Sequence, residues 1–386
     1  MGIESGVKMK KTDILIFGDI CPDNDYKELF GRNKAQVFDT EIRHMISDAD
    51  FVVGNLECPA TKEKEAITKC GPSLKAEPED IAYLKELGFD AFSLANNHIL
   101  DYGEKAVKDT IECCESNGLM HFGAGQNAAD AAKPIVTEIK GKKIGFISFA
   151  EAEFNLAGEN TPGANHFDVY TSLDDVAQLK KECDFVILLY HGGIEHYKNP
   201  SPLLQKKCRA MVKAGADLVL CQHSHCIGTV EQFQGANILY GQGNSAFGYR
   251  KGDTSWNEGF LVSVCLENKK IRLHLINAKK EGVALATPEE TEERIAELKK
   301  ASLHLNDEKW IMEQWVKYCQ KQEALDLALL YGKGRIFNKL NRMLNNLLIR
   351  TIYGRKKQMI TMNLIRCEAH HDVVTTILEN NIFKSN

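Results

Sequence analysis

A series of short apolar runs, separated by helical patterns, limits what this chain can fold into. Each run is five to eight residues long: ILIFG (14–18), FVVGN (51–55), AFSLAN (91–96), KIGFISFA (143–150), FVILLYH (185–191) and DLVLCQH (217–223). Amphipathic patterns lie between them, over residues 34–48, 78–88, 103–118, 172–182 and 201–214. Runs without polar alternation are typical of strands in sheets covered by helices. The alternation therefore predicts an α/β protein whose strands pair largely in parallel.

The pattern changes after Asp217, where the runs come closer together along the chain. VEQFQ, NILYG, FLVSVCLE and KIRLHLINA are separated by turn residues such as Gln234-Gly235 and Asn268-Lys269. This spacing predicts antiparallel strands in the later part of the domain, for which we expect the bounds 12–284.

Residues 285–386 form a second region with an almost continuous helical pattern. Thr287 is a candidate N-cap, followed by Pro288 at the first helical position. Between Tyr331 and Ile360 there are eight Lys or Arg residues and no Asp or Glu. Leu, Ile and Met alternate with these cations, which is typical of a helix that contacts a membrane surface or a protein partner. A helix packed on the main domain with a solvated basic face is the alternative, and both interpretations remain open.

Bulk composition limits the classes of function. The 386 residues carry a formal net charge of −5, which argues against general nucleic-acid binding. No run approaches the roughly 18 apolar residues of a spanning helix, and the first residues contain no apolar core of a secretory signal. We expect a cytoplasmic or peripherally membrane-associated protein.

Polar side chains stand where the strand-like runs end. They are Asp19, Glu57, Asn97, His191, His223 and His225. Because sites in parallel α/β sheets gather at the carboxyl ends of strands, we expect these residues to meet at one rim. This mixed oxygen and nitrogen set suits Mn, Fe or Zn better than Mg or Ca. A bridging carboxylate would allow one or two ions, and His98 is then a candidate proton donor.

The ordered motifs GD, GNLE, ANNHxxDxG, HGGxE, QHSH and GQGN resemble those of the CapA family of capsule (poly-γ-glutamate) biosynthesis proteins. That family is similar to the calcineurin-like metallophosphoesterases, and the resemblance covers roughly residues 12–280. It implies a four-layer α-β-β-α sandwich, with a helical C-terminal extension in this chain. The site is expected at one end of the β-sandwich.

The resemblance also implies roles for individual residues. Asp19 matches the acid of the first motif and Glu57 matches the bridging carboxylate. The pair Asn97-His98 matches the Asn-His pair of the phosphoesterases. His191 matches their lone ligand histidine, and residues 223–225 match their final His-x-His.

Two positions depart from the phosphoesterase pattern. The first motif reads Asp19-Ile20-Cys21, where Asp-x-His is expected, and Gln222 replaces the usual Gly before the final motif. Cys21 is either a soft ligand that favours Zn or a packed thiol. One metal position is therefore open to question on the sequence alone.

Four further residues are candidates for the chemistry. Asp101 and Glu195 are candidate catalytic residues that would orient imidazoles, although Asp101 is equally a candidate cap for the next helix. Lys75, in KCGPSLKA, and Asn244, in GQGN, are candidate substrate-binding residues.

Three functions are consistent with these residues. The first is a metal-dependent hydrolase of a phosphoester, amide or ester in capsule or cell-envelope polymer biosynthesis, acting on an anionic small molecule or polymer. The second is a metal-independent proton-transfer enzyme such as an epimerase. The third is a non-catalytic component of a polysaccharide or capsule assembly machine.

Overall fold

The computed structural model describes residues 3–5, 12–32, 34–330 and 334–366, together with residues 370, 374 and 378. The chain divides into two compact units, Met1–Met312 and Glu313–Asn386. Strands lie in the first unit, and the described part of the second unit is helical.

Strands make up most of the first unit's interior. Within the described residues they are β1 (Ile3–Ser5), β2 (Ile14–Ile20), β3 (Phe51–Leu56), β4 (Ala91–Ser93), β5 (Met120–Phe122), β6 (Ala124–Gly125), β7 (Ile135–Ile139), β8 (Lys142–Ala150), β9 (Gly163–Ala164), β10 (Phe185–His191), β11 (Leu218–Gln222), β12 (Val230–Phe233), β13 (Ala236–Leu239), β14 (Asn244–Ala246), β15 (Glu258–Cys265), β16 (Lys270–Lys279) and β17 (Gly282–Leu285).

These strands form two large sheets and one short ribbon. The first sheet has the order β1-β16-β15-β2-β3-β4-β5, with β14 paired to β2 and β17 paired to β16. The second sheet has the order β12-β13-β11-β10-β8-β7, and β6 pairs with β9. Pairing is parallel from β2 to β5 and from β8 through β10 and β11 to β13. The carboxyl ends of the central strands therefore lie at one edge of each sheet.

Helices connect the strands and cover the sheets. Within the described residues they are α1 (Lys27–Arg32), α2 (Thr40–Asp48), α3 (Pro78–Leu87), α4 (Gly103–Ser116), α5 (Ala128–Ala131), α6 (Ser172–Glu182), α7 (Pro202–Ala214), α8 (Thr254–Asn257), α9 (Pro288–Ala301), α10 (Glu308–Leu330), α11 (Arg335–Met343), α12 (Leu347–Ile352) and α13 (Arg355–Arg366).

Successive side chains of each buried strand point to opposite faces, and this alternation builds the layers. Ile16 of β2 and Ile187 of β10 belong to one apolar core between the two sheets. Leu15 belongs to a second core with α2, α3 and α4, whereas Leu188 belongs to a third with α6 and α7. The order of layers is helix, sheet, sheet, helix, so the predicted α-β-β-α sandwich is confirmed.

The six apolar runs all fall in strands, as predicted, but the run at 91–96 is extended only as far as Ser93. Asn96 leaves the strand because its side-chain amide donates to the Leu56 carbonyl at 2.7 Å and so fixes a turn. The prediction of antiparallel strands after residue 217 holds for β12, β15 and β16. It is wrong for the pairing of β13 with β11, which is parallel.

The helical character after Pro288 is present throughout the described residues up to Arg366. Thr287 caps α9 as predicted, since its side chain accepts a hydrogen bond from the Glu290 amide and Glu290 reciprocates. In the second unit, Asn341 and Ile349 are buried. Among the described residues, no helix combines the length and the apolar character that crossing a bilayer requires.

Candidate metal centre

The six predicted ligand residues meet in one buried cluster where the central strands end. Asp19 lies near the end of β2, and its backbone is in register with Asn55 of β3 on one side and Asn244 of β14 on the other. His191 ends β10 and pairs with Gln222, the last residue of β11. Parallel pairing thus brings side chains from both sheets to the same edge, although they are far apart in the sequence.

Glu57 occupies the centre of the cluster. Two groups of side chains share its carboxylate, one with His191 and His223 and the other with Asp19 and His225. In each group the potential ligand atoms lie within 4.8 Å of one another. Glu57 Oε1 is 3.4 Å from His191 Nε2 and 3.7 Å from His225 Nε2.

Burial sets the protonation of these groups. Glu57 is completely buried, yet among the described residues neither of its oxygens accepts a hydrogen bond from an N–H or hydroxyl donor. Burial raises the pKa of Glu57 well above its ordinary value, and burial together with the nearby Glu57 carboxylate raises the pKa of Asp19 to about 8. Burial lowers the pKa of His191 and of His223 to about 4. Neutral imidazoles beside carboxylates without a counter-ion are the donor set that a divalent transition metal requires.

Two asparagines fix the orientation of ligand groups. Asn55 Nδ2 donates to Asp19 Oδ1 at 2.8 Å, and the His223 amide donates to Asp19 Oδ2 at 3.0 Å. Asn244 Nδ2 donates to the Trp256 carbonyl, so its Oδ1 accepts from His225 Nδ1 at 2.8 Å. This tautomer leaves the Nε2 lone pair of His225 directed toward Glu57.

His98 lies beside the cluster and contacts a buried ion pair. Its Nδ1 is 2.6 Å from Asp101 Oδ2 and 3.2 Å from Lys69 Nζ. Lys69 also contacts the other Asp101 oxygen, and the side chains of both residues are almost completely buried. Asp101 accepts from the Leu74 amide at 2.7 Å, whereas α4 begins without a side-chain cap. Its contacts therefore orient the His98 imidazole and do not cap the helix.

A cavity of about 610 Å³ opens beside the cluster. Asn97, His98 and His225 line it, together with Glu153 and the stacked pair formed by Arg250 and Trp256, whose guanidinium carbon is 3.1 Å from the ring centroid. This opening gives a substrate access to the ligand groups.

Glu195 lines the same cavity with a half-exposed carboxylate, which lies 4.0 Å from His196 Nε2. Lys75 donates to the Glu63 carbonyl at 2.7 Å and lies over the Tyr102 ring, in the wall behind the cavity lining. Lys69 is the lysine that reaches the cavity. Substrate binding by Lys75 and Asn244 remains a prediction.

Residues 13–249 match the family described as bacterial capsule synthesis protein PGA_cap. The chain belongs to this family. The predicted resemblance to the CapA family is therefore confirmed.

Curated relatives carry the same family name in part. The PGA_cap chain is 29% identical over 268 residues to the capsule biosynthesis protein CapA of Bacillus anthracis, covering 67% of this chain and 65% of the relative. It is 29% identical over 270 residues to the PGA biosynthesis protein CapA of Bacillus subtilis (strain 168), covering 68% and 70%. The match thus spans about two thirds of the length of each relative.

Solved structures with a similar course of the chain include a hypothetical protein from Thermus thermophilus, with 13% identity and a TM-score of 0.45, covering 68% of this chain and 98% of that one. A putative 5′-nucleotidase from Staphylococcus aureus has 15% identity and a TM-score of 0.42, covering 74% and 58%.

This PGA_cap member departs from the phosphoesterase pattern at Cys21, and the structure shows where that thiol lies. Cys21 is buried, and its contact is with the Cys58 thiol. Burial raises the pKa of Cys21 well above its ordinary value, which disfavours the thiolate that a metal would bind. Among the described residues, neither ligand group includes it. The geometry favours the packed thiol.

Three residues at this PGA_cap site were not predicted from the sequence. Asn55 stands at the end of β3, inside the quoted motif GNLE, and strand-end reasoning applied to every polar residue would have found it. Glu153 lies three residues beyond the end of β8, outside the strand-end positions, and its carboxylate is 3.8 Å from His223 Nε2. Lys69 lies in a loop, and no sequence pattern marks its contact with Asp101.

Proposed function

We propose that this PGA_cap protein is a metal-dependent hydrolase of a phosphoester, amide or ester bond that acts in capsule or cell-envelope polymer biosynthesis. The observation that carries the proposal is the Glu57 carboxylate. It is fully buried, has no N–H or hydroxyl donor among the described residues and is shared by two groups of potential ligands. The names of the two Bacillus relatives support the biological setting.

The residues present fit one or two divalent transition metal ions. Asp19, Glu57 and His225 would hold one ion, while Glu57, His191 and His223 would hold the other, with the Asn97 amide oxygen 3.0 Å from His191 Nε2. When bound, such an ion supplies Lewis-acid polarisation of the scissile phosphoryl or carbonyl oxygen.

The protein's own groups position the substrate and move a proton. With His98 Nδ1 hydrogen-bonded to Asp101, Nε2 is the atom that delivers a proton to the leaving group. Asp101 and Lys69 are positioning residues, because they hold the His98 ring through Nδ1 and Leu74 holds Asp101 in turn.

An anionic substrate, either a small molecule or a polymer, fits this site best. Arg250 is a fixed cation at the cavity, since its guanidinium stacks on Trp256. Glu153 and Glu195 face the same space and would disfavour negative groups that are not directed toward the ions. Burial of the ligand carboxylates excludes water from the point where the substrate oxygen would be polarised.

The proposal is tested by elemental analysis of the purified protein, combined with hydrolysis assays on aryl phosphodiesters and aryl esters. We expect near-stoichiometric Mn, Fe or Zn, with activity that a chelator removes and Mn²⁺ or Zn²⁺ restores. His223→Ala should lose both metal and activity, whereas His44→Ala, which changes an exposed histidine, should lose neither.

Absence of metal after reconstitution contradicts the proposal. Chelator-insensitive incorporation of solvent deuterium into a candidate substrate would instead favour the proton-transfer enzyme. Full capsule formation in cells that carry Asp19→Ala together with His223→Ala would favour a non-catalytic component.

A further inference from the structure

The segment 334–366, called here the basic segment, carries positive charge without any compensating acid. It contains eight Lys or Arg residues and no Asp or Glu. They are Arg335, Lys339, Arg342, Arg350, Arg355, Lys356, Lys357 and Arg366. The rest of the chain is acidic on balance, because the whole carries a net charge of −5. The basic segment is therefore an electrostatically distinct surface.

Helix α11, the first helix of this segment, exposes an apolar face. Ile336, Leu340 and Met343 follow the i, i+4, i+7 spacing that places side chains on one side of a helix. Their exposed fractions are 79%, 48% and 72%. Leu344 and Leu347 continue the exposed apolar surface beyond the end of α11.

Cations flank this face on the same helix. At 100° per residue, Arg335, Lys339 and Arg342 lie together on the side of α11 that adjoins the apolar face. Long basic side chains in this position can bury their methylene groups beside an apolar surface and keep their charges in a polar layer.

Helix α13 repeats the combination. It begins with the cations Arg355, Lys356 and Lys357 and continues with exposed apolar residues that include Met359 and Ile360. An open, largely apolar cavity of about 810 Å³ is lined by residues of this helix and by His370. Exposed apolar surface on two helices exceeds the scattered single residues that need no explanation.

We propose that the basic segment docks on an anionic lipid bilayer surface, with α11 lying in the interface and its apolar face turned to the acyl chains. Charge decides between possible occupants. A second copy of the segment would bring eight cations against eight cations with no acid to pair them, whereas anionic headgroups attract each one. The apolar face then gains what a soluble polyanion cannot offer, which is an acyl boundary.

Vesicle co-sedimentation of the full chain tests this proposal. Vesicles of phosphatidylcholine and phosphatidylglycerol, mixed in a ratio of roughly three to one, are compared with vesicles of phosphatidylcholine alone. Each cation near an anionic surface contributes about fivefold to the partition coefficient, so Arg335→Gln, Lys339→Gln and Arg342→Gln together should lower it by about a hundredfold. The matched control removes three exposed lysines of the first unit by Lys64→Gln, Lys108→Gln and Lys280→Gln and should leave binding unchanged.

A second variant separates charge from insertion. Ile336→Ser with Met343→Ser keeps every cation but should lower partition onto the anionic vesicles by at least about tenfold, because two large apolar side chains no longer enter the bilayer. Far-UV circular dichroism is recorded on each variant to confirm unchanged helix content.

Equal binding to both kinds of vesicle overturns the proposal, as does equal loss of binding in the control variant. Undiminished binding of the serine variant shows a purely electrostatic polyanion contact and also overturns it. Sedimentation velocity that shows a dimer converted to a monomer by the serine changes, with no vesicle binding in the wild type, assigns the surface to a second copy.

Discussion

Replacing Glu57 by Gln should stabilise the metal-free protein and abolish its stabilisation by metal. The substitution keeps the shape of the side chain and removes its ability to ionise. In the wild type, Glu57 is completely buried and its pKa is raised well above the ordinary 4.5, mainly by burial. Protonating it in the folded state has a cost whenever the unfolded chain would ionise it.

The size of this effect follows from the interval between the two pKa values. A raised carboxyl pKa lowers stability only above the unfolded value of 4.5, and the loss grows with pH until the folded pKa is reached. From pH 4.5 to pH 7 the interval is about 2.5 pH units, which at about 1.4 kcal/mol per unit sets a ceiling of about 3 kcal/mol. Glu57→Gln should therefore raise the free energy of unfolding at pH 7 by up to that amount and change it little at pH 4.5.

Urea unfolding at both pH values, with and without Mn²⁺ or Zn²⁺, measures this. Metal should stabilise the wild type in proportion to the logarithm of its concentration above the dissociation constant and should not stabilise the variant. Glu112→Gln, at an exposed position, is the control and should reproduce the wild type. Loss of stability at pH 7 in metal-free Glu57→Gln, or undiminished stabilisation of it by metal, refutes the reasoning.

Three further changes test other parts of the structure. Lys69→Met should destabilise the protein by about 3–5 kcal/mol in urea unfolding, because Asp101 keeps a buried charge without its partner, and retention of wild-type stability would contradict the buried pair. Burial lowers the pKa of His274 to about 4, so the wild type should lose about 2 kcal/mol more than His274→Gln as the pH falls from 6.5 to 5, and parallel pH profiles would show that this histidine is not buried neutral. Gly123→Ala should cost about 1–3 kcal/mol more than Gly71→Ala, because both backbones have similar positive φ but only the first new Cβ would overlap Ser148 Oγ; equal losses would leave strain as the whole effect.

The layer order and the ligand cluster could be predicted because they depend on short-range patterns. Apolar runs that alternate with amphipathic helices favour parallel strands, and parallel strands bring their carboxyl ends to one edge. That rule alone placed Asp19, Glu57 and His191 together. The pairing of β13 with β11 was missed because turn residues near Gln234 indicate a hairpin but do not indicate which neighbour lies on the far side.

Contacts made by loops were beyond the sequence because their partners are set by packing. Lys69 reaches Asp101 across 32 positions, and a buried lysine has the same letter as an exposed one. Cys21 illustrates the reverse case, since two chemical roles were open until its burial and its contact with Cys58 favoured packing.

Anomalous diffraction from crystals of the protein grown with Mn²⁺ tests the central claim most directly. The account predicts anomalous density within about 2.0–2.3 Å of the Glu57 carboxylate. Where both ligand groups are filled, it predicts two peaks about 3.5–4 Å apart that share this residue. Ordered side chains at Asp19, Glu57 and His223 with no anomalous density between them would contradict a metal centre at this site.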